Sequence, residues 1–144
     1  MTDFAVAAPG SKQTLQAVGN SLPQLFENAA RELLKLFVDP QDVGEVLREK
    51  IVVEGADTAA LFQAWIEALL NLTCQQNILF KAFRFQIFDA ERKGAGKLRA
   101  EITGELVDPV RHQIKRETRR WRCERVRLIN SSTAISAEID LKVD

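Results

Sequence analysis

Between Arg111 and Arg127 the chain sets seven arginines and one lysine against only two glutamates. The cations are Arg111, Lys115, Arg116, Arg119, Arg120, Arg122, Arg125 and Arg127. A guanidinium presents a planar fork of donors that meets phosphate or carboxylate oxygens two at a time. So strong a preference for arginine points to an anionic partner, either RNA or an acidic protein surface. Trp121, inside the stretch, could stack on a base. The competing reading is a solvated strand whose arginines pair with the acidic first half of the chain. If about four phosphates were neutralised, single-strand affinity would fall with a log–log salt slope of roughly −3.

The other reactive side chains are sparse. His112 is the sole histidine, which excludes a His-x-x-x-His metal pair. Neither a Ser-His-Asp nor a Cys-His arrangement can be built around it, so a role in a turn is expected. Cys74 and Cys123 have no paired spacing and read as reduced, buried thiols; a zinc knuckle and a disulfide scaffold are excluded. Asp108, Asp140 and Asp144 could gather around a hard cation, but such sites need several convergent oxygens. Lys93-Gly94-Ala95-Gly96-Lys97 lacks the G-x-x-x-x-G-K-[ST] spacing of a phosphate loop and reads as a turn. Nothing here indicates catalysis.

The elements must then position the basic stretch. With 144 residues, 46% hydrophobic and 28% charged, one globular domain over 1–144 is expected, with 1–12 as a loose lead-in. No apolar run is long enough for a bilayer, and no leader pattern opens the chain, so a cytoplasmic location without membrane contact is expected. Net charge is zero, yet residues 1–72 carry −5 and residues 73–144 carry +5. That asymmetry favours a partner held in one orientation.

Thr14 to Val18 alternates as a strand. Ser21 with Gln24 forms a capping box, and Leu22, Leu25, Phe26, Ala29, Ala30, Leu33, Leu34 and Phe37 follow helical spacing up to Asp39-Pro40. Residues 40–47 read as a connector and Lys50–Glu54 as a strand. Asp57 caps a second helix whose buried face runs from Leu61 through Trp65, Ile66 and Leu69 to Leu72. Phe80 to Phe88 is an aromatic strand whose alternation slips at Ala82-Phe83, and Leu98, Ala100 and Ile102 alternate on the return strand. Asp108-Pro109 marks a turn. Residues 114–128 and 133–143 read as a last hairpin, with a bulge near Glu124-Arg125 and Arg116, Arg120 and Arg122 on one strand face. This order predicts a two-layer α+β fold, with two helices on a mainly antiparallel sheet.

Several of these stretches together resemble the archease family, whose SHS2-type domain has a strand–helix–strand–strand core with an inserted module. The likeness runs over about residues 13–143. Its first piece is Ser21-Leu22 leading into Phe26-Glu27-Asn28-Ala29-Ala30; its second is Ala60-Leu61 through Trp65-Ile66-Glu67-Ala68-Leu69-Leu70. The most specific piece is Gly104-Glu105, then Asp108-Pro109-Val110-Arg111-His112, then Lys115.

The resemblance implies an accessory protein of an RtcB-type RNA ligase, not itself an enzyme, promoting ligase guanylylation and turnover in tRNA splicing or RNA repair. It also implies a divalent metal such as Ca²⁺ or Mn²⁺, held by one aspartate before the first strand and another in the last. Here Lys12 stands where the first is expected and Asp140 matches the second, with Asp108 a further candidate. Cys123 and Glu124 replace an expected tyrosine and histidine. These departures imply that metal-dependent activation is lost, and Lys12 could supply the missing positive charge itself. The alternative is an RNA- or protein-binding module that kept the fold and lost ligase activation. Contacts to ligase or RNA are expected through Arg111, His112, Lys115, Arg116, Arg119, Arg120 and Arg122.

Overall fold

The computed structural model describes residues 10–90, 96–116 and 120–143. In chain order the elements are β1 (Lys12–Gly19), α1 (Leu22–Phe37), a 3₁₀ turn (Pro40–Asp42), β2 (Leu47–Gly55), α2 (Thr58–Gln76), β3 (Ile78–Asp89), β4 (Gly96–Leu106), β5 (Trp121–Asn130) and β6 (Ile135–Val143). Of the loose lead-in expected at 1–12, residues 1–9 lie outside the described residues, whereas Gly10 and Ser11 are bonded to Val143 and Lys12 already begins β1. Arg119, Asp144 and residues 93–95 of the expected turn also lie outside them.

Both helices start where their capping chemistry places them. The Ser21 hydroxyl accepts the Gln24 N–H at 3.3 Å, and the Gln24 side chain reaches back to the Asn20 N–H at 2.6 Å. The box therefore closes one residue upstream of the cap itself. Asp57 accepts the Ala60 N–H at 2.8 Å to begin α2, and Asn77, in the left-handed region at φ 58°, ends it. The apolar stripe of α1 is buried from Leu25 to Phe37, and that of α2 from Leu61 to Leu72.

The α+β class holds, with the strands divided between two antiparallel three-stranded sheets, ordered β1-β6-β5 and β2-β4-β3. The division follows from the path of the chain after β4. After β4 the chain leaves its sheet at Asp108-Pro109, and the Lys115 N–H is bonded to the Phe37 carbonyl at the end of α1 at 2.7 Å. β4 is the central strand, with β2 and β3 on its two sides, and the chain is thus led away from that sheet before β5 begins.

That detour also corrects the strand expected at 114–128. β5 begins only at Trp121, and Arg120 has φ 71°, which breaks extended pairing. Arg116, Arg120 and Arg122 therefore do not share a strand face. The bulge is where the apolar phase shifts, with the β5–β6 register stepping between Cys123 and Arg125. In β3 the slip at Ala82-Phe83 likewise appears as a register step between Phe80 and Ala82.

Trp65 joins the layers. Its ring N–H donates to the Phe26 carbonyl of α1 at 3.0 Å, and its ring packs against Phe83 and Phe85 of β3 at 5.8 and 5.5 Å between centroids. Phe26 in turn meets Phe62 and Phe88 edge-on, each at 4.9 Å. No helix among the described residues is long and apolar enough to cross a membrane.

Gly104 sits where β3 and β4 approach most closely. A Cβ there would lie 2.0 Å from the Leu79 carbonyl oxygen, a contact with rigid backbone that no rotamer relieves. Gly104→Ala should lower stability by about 1–3 kcal/mol, the usual cost of overpacking. Urea unfolding would read this as a lower midpoint at unchanged slope.

Candidate functional site

Glu105 is 6% exposed and anchors the segment that carries the specific motif. The Gly44 N–H donates to its Oε1 at 2.7 Å, and His112 Nε2 lies 2.8 Å from the same oxygen. Its Oε2 takes the Arg111 guanidinium in a short ion pair. The Asp108 N–H donates to His112 Nδ1 at 2.8 Å, so that nitrogen must be an acceptor and the ring proton sits on Nε2, facing Glu105. Arg111 also reaches the Asp42 carbonyl at 3.3 Å. One carboxylate thus binds together the loop before β2, the end of β4 and the turn at 108–112. The turn is tightened by Asp108, whose Oδ1 accepts the Val110 and Arg111 N–H groups at 3.0 and 3.4 Å.

Those donors hold the Glu105 carboxyl down to about 2, from an ordinary 4.5, with the Arg111 hydrogen bond the largest cause and the Gly44 N–H next. Beside this network three apolar side chains stand in solvent: Val110 at 97%, Val46 at 77% and Leu106 at 58% exposed. Val46 and Leu106, with Val107 and Pro109, border a shallow depression of about 440 Å³.

The basic stretch is divided by the fold. His112, 2% exposed, is committed inward to Glu105, and Arg111 holds the same carboxylate while its side chain stays half exposed. The Lys115 ammonium rests 3.4 Å from the Lys35 carbonyl. Trp121, expected as a stacking platform, is 5% exposed and packs edge-on against Phe37 at 6.4 Å, so no base can reach its face. Arg116 is half-buried, Arg120 and Arg122 are exposed, and Arg119 lies outside the described residues. Arg125 and Arg127 pair with Asp140 and Glu138 on β6, and Arg111 with Glu105; these acids all belong to the basic second half of the chain, not the acidic first half.

Arg125 was not anticipated as a site residue, because only the β5 bulge turns it towards β6. Its Nε and Nη2 donate to Asp140 Oδ2 at 3.0 and 2.8 Å, while the Thr14 hydroxyl donates to Oδ1 at 2.9 Å. Lys12 lies on the same face, 3.5 Å from Glu124. Asp108 belongs to the loop after β4 and is not drawn into this cluster. Around Asp140, then, both carboxylate oxygens carry donors, and the cations acting on it are Arg125 and Arg127. Such a donor set does not fit a divalent ion, which needs several free oxygens converging. The described residues contain no group of three acidic, histidine or cysteine side chains placed to hold one.

Cys74 and Cys123 face a cavity of about 280 Å³ between α2 and β5. Burial pushes their thiols up to about 11 and about 12, so at neutral pH they are protonated and unreactive.

The described residues form an α+β domain of two capped helices and two antiparallel sheets, with a carboxylate-stapled turn after β4. The match to the Archease protein family (MTH1598/TM1083) spans residues 13–128, and the chain belongs to that family. It is 30% identical over 105 residues to "Protein archease" of Pyrococcus abyssi, covering 73% of this chain and 72% of that one. To the Methanosarcina acetivorans protein of the same name it is 32% identical over 102 residues, covering 70% and 68%. The solution structure of Methanobacterium thermoautotrophicum protein 1598 superposes with a TM-score of 0.69 over 92% of both chains at 19% identity, a likeness of fold.

Two outcomes follow from this geometry. Glu105 has a folded-state pKa below its unfolded value, so its contribution is complete above about 4.5 and is lost as pH falls towards about 2. Glu105→Gln should cost about 1.5–3 kcal/mol at neutral pH, as for a hydrogen bond to a charged group, and should flatten the acid limb of a stability–pH profile followed by circular dichroism. Calorimetric titration with Ca²⁺ or Mn²⁺ should give no saturable heat. Binding that disappears in Asp140→Asn would show that the ion displaces Arg125.

Proposed function

We propose that this chain is an accessory protein of an RtcB-type RNA ligase, promoting its guanylylation and turnover in the cytoplasm during tRNA splicing or RNA repair, and is not itself an enzyme. The observation that carries the reading is membership of the archease family over residues 13–128. Within that span the segment from Gly104 to Lys115 is held as one rigid unit by the Glu105 network. A preorganised surface costs less ordering entropy on binding.

In this reading Arg111 and His112 position the turn and do not touch the partner. Contact falls to the exposed apolar residues beside them and to Arg116, Arg120 and Arg122, with Arg119 between. Arg125 and Lys12 supply the positive charge around Asp140 and Glu124, so activation needs no metal resident in this protein.

Multiple-turnover RNA ligation by the host's RtcB-type ligase tests this. Adding the protein should raise turnover, and the rise should survive a chelator once the ligase has been loaded with its own metal. No stimulation at saturating protein would sink the activator role. The binding-module reading, in which the fold is kept and ligase activation lost, would then take its place.

A further inference from the structure

The two sheets end in four edge strands, β1 and β5 on one, β2 and β3 on the other. An edge strand presents unpaired N–H and C=O groups to any further strand, and folded proteins blunt it with bulges, charges or a covering group. Three of the four edges carry a bulge or a covering group. β3 steps out of register twice and β5 once, and the Asn28 side-chain amide of α1 donates to the Val18 carbonyl of β1 at 2.8 Å. β2 carries neither among the described residues. Its nine residues contain no proline and pair with β4 in unbroken register from Leu47 to Gly55. Charge alone is left to keep a second strand away.

The charges of β2 do the opposite for one particular strand. Its middle, Lys50-Ile51-Val52-Val53-Glu54, has the same order of chemical types from either end, with cation and anion exchanged. Laid antiparallel on a second copy with Val52 at the two-fold axis, Lys50 meets the copy's Glu54, Ile51 meets Val53, and Val52 meets Val52. Side chains alternate between faces, so Lys50, Val52 and Glu54 meet on the outer face and Ile51 and Val53 on the inner one. Moving the axis by one residue either way sets Val52 against Lys50 or against Glu54. Val52 is 56% exposed, and Lys50 and Glu54 are exposed and hold no ion pair among the described residues.

We propose that this chain forms a two-fold dimer by antiparallel pairing of β2 with β2 of a second copy, joining two β2-β4-β3 sheets into one of six strands. An isologous contact needs a patch that complements itself under rotation, and this segment does so in both charge and apolar content. A strand of another protein could use the same backbone groups, but the order that suits this edge is the chain's own. Opposite-charge and β-branched pairs set directly across from each other each favour the pairing. Edge pairing over five residues is a small contact, so the dimer is weak and depends on concentration.

Sedimentation velocity of the full chain, from about 1 to about 500 µM, spans the range in which so small a contact associates. The weight-average mass should climb from that of one chain towards that of two. A single-chain mass throughout overturns the proposal and leaves the edge to a strand of another protein. Lys50→Glu sets like charges opposite each other at both outer pairs, and so does Glu54→Lys. Each variant alone should associate roughly tenfold or more weakly. Mixed in equal amounts, the two variants regain two opposite-charge pairs and should dimerise as the wild type does. Neither a folding defect nor net charge reproduces recovery on mixing. Should either variant lose its circular dichroism signal, Val52→Lys, which sets two ammonium groups together on the axis, replaces it and should also be monomeric. Variants that dimerise alone as strongly as the wild type, or a folded mixture that stays monomeric, would overturn the pairing.

Discussion

The arrangement of the candidate site depends on one buried carboxylate. Glu105 leaves water at the end of β4, and a charge taken out of water must be met by donors or it protonates. Three residues on two segments supply them: Gly44 before β2, and Arg111 and His112 in the turn that Asp108 opens. None of these partners is interchangeable. Gly44 brings a backbone N–H, His112 is fixed in one tautomer by the Asp108 N–H, and Arg111 closes the remaining side while also holding the Asp42 carbonyl. The rigidity of the turn, and the solvent exposure of Val110 at its tip, both follow from satisfying Glu105.

The outer face of the β1-β6-β5 sheet meets a second electrostatic demand in a different way. Lys12 and Glu124 stand where the family resemblance leads one to expect an aspartate and a histidine, and the fold sets these two departures against each other as an ion pair. Arg125, turned by the bulge, then satisfies Asp140. Each carboxylate of this face thus has a side-chain cation beside it.

Much of the fold was legible because it rests on local rules. Ser21 with Gln24 and Asp57 with Ala60 mark helix starts through bonds spanning three residues, and the 3.6-residue stripes from Leu25 to Phe37 and Leu61 to Leu72 announce buried faces. Even the irregularities showed, because a β-bulge shifts the apolar phase by one residue, as at Phe80–Ala82 and Cys123–Arg125. The division into two sheets was not legible. It follows from the Lys115–Phe37 backbone bond across the molecule and from the left-handed Arg120, neither of which has a periodic signature.

By itself, then, the sequence determined the helices, most strands, the α+β class, and that its charge is segregated with a strongly basic stretch near the end. Those properties depend on side-chain type and on neighbours a few residues away. Tertiary structure alone decided what each charge does. It sent His112 inward to Glu105, tied Arg111 to the same carboxylate and buried Trp121 against Phe37. It gave Asp140 to Arg125 and lined up Lys12, Lys142 and Arg122 across three strands. Ionic energy depends on distance through space and on the water excluded between the charges, and one-dimensional spacing carries neither.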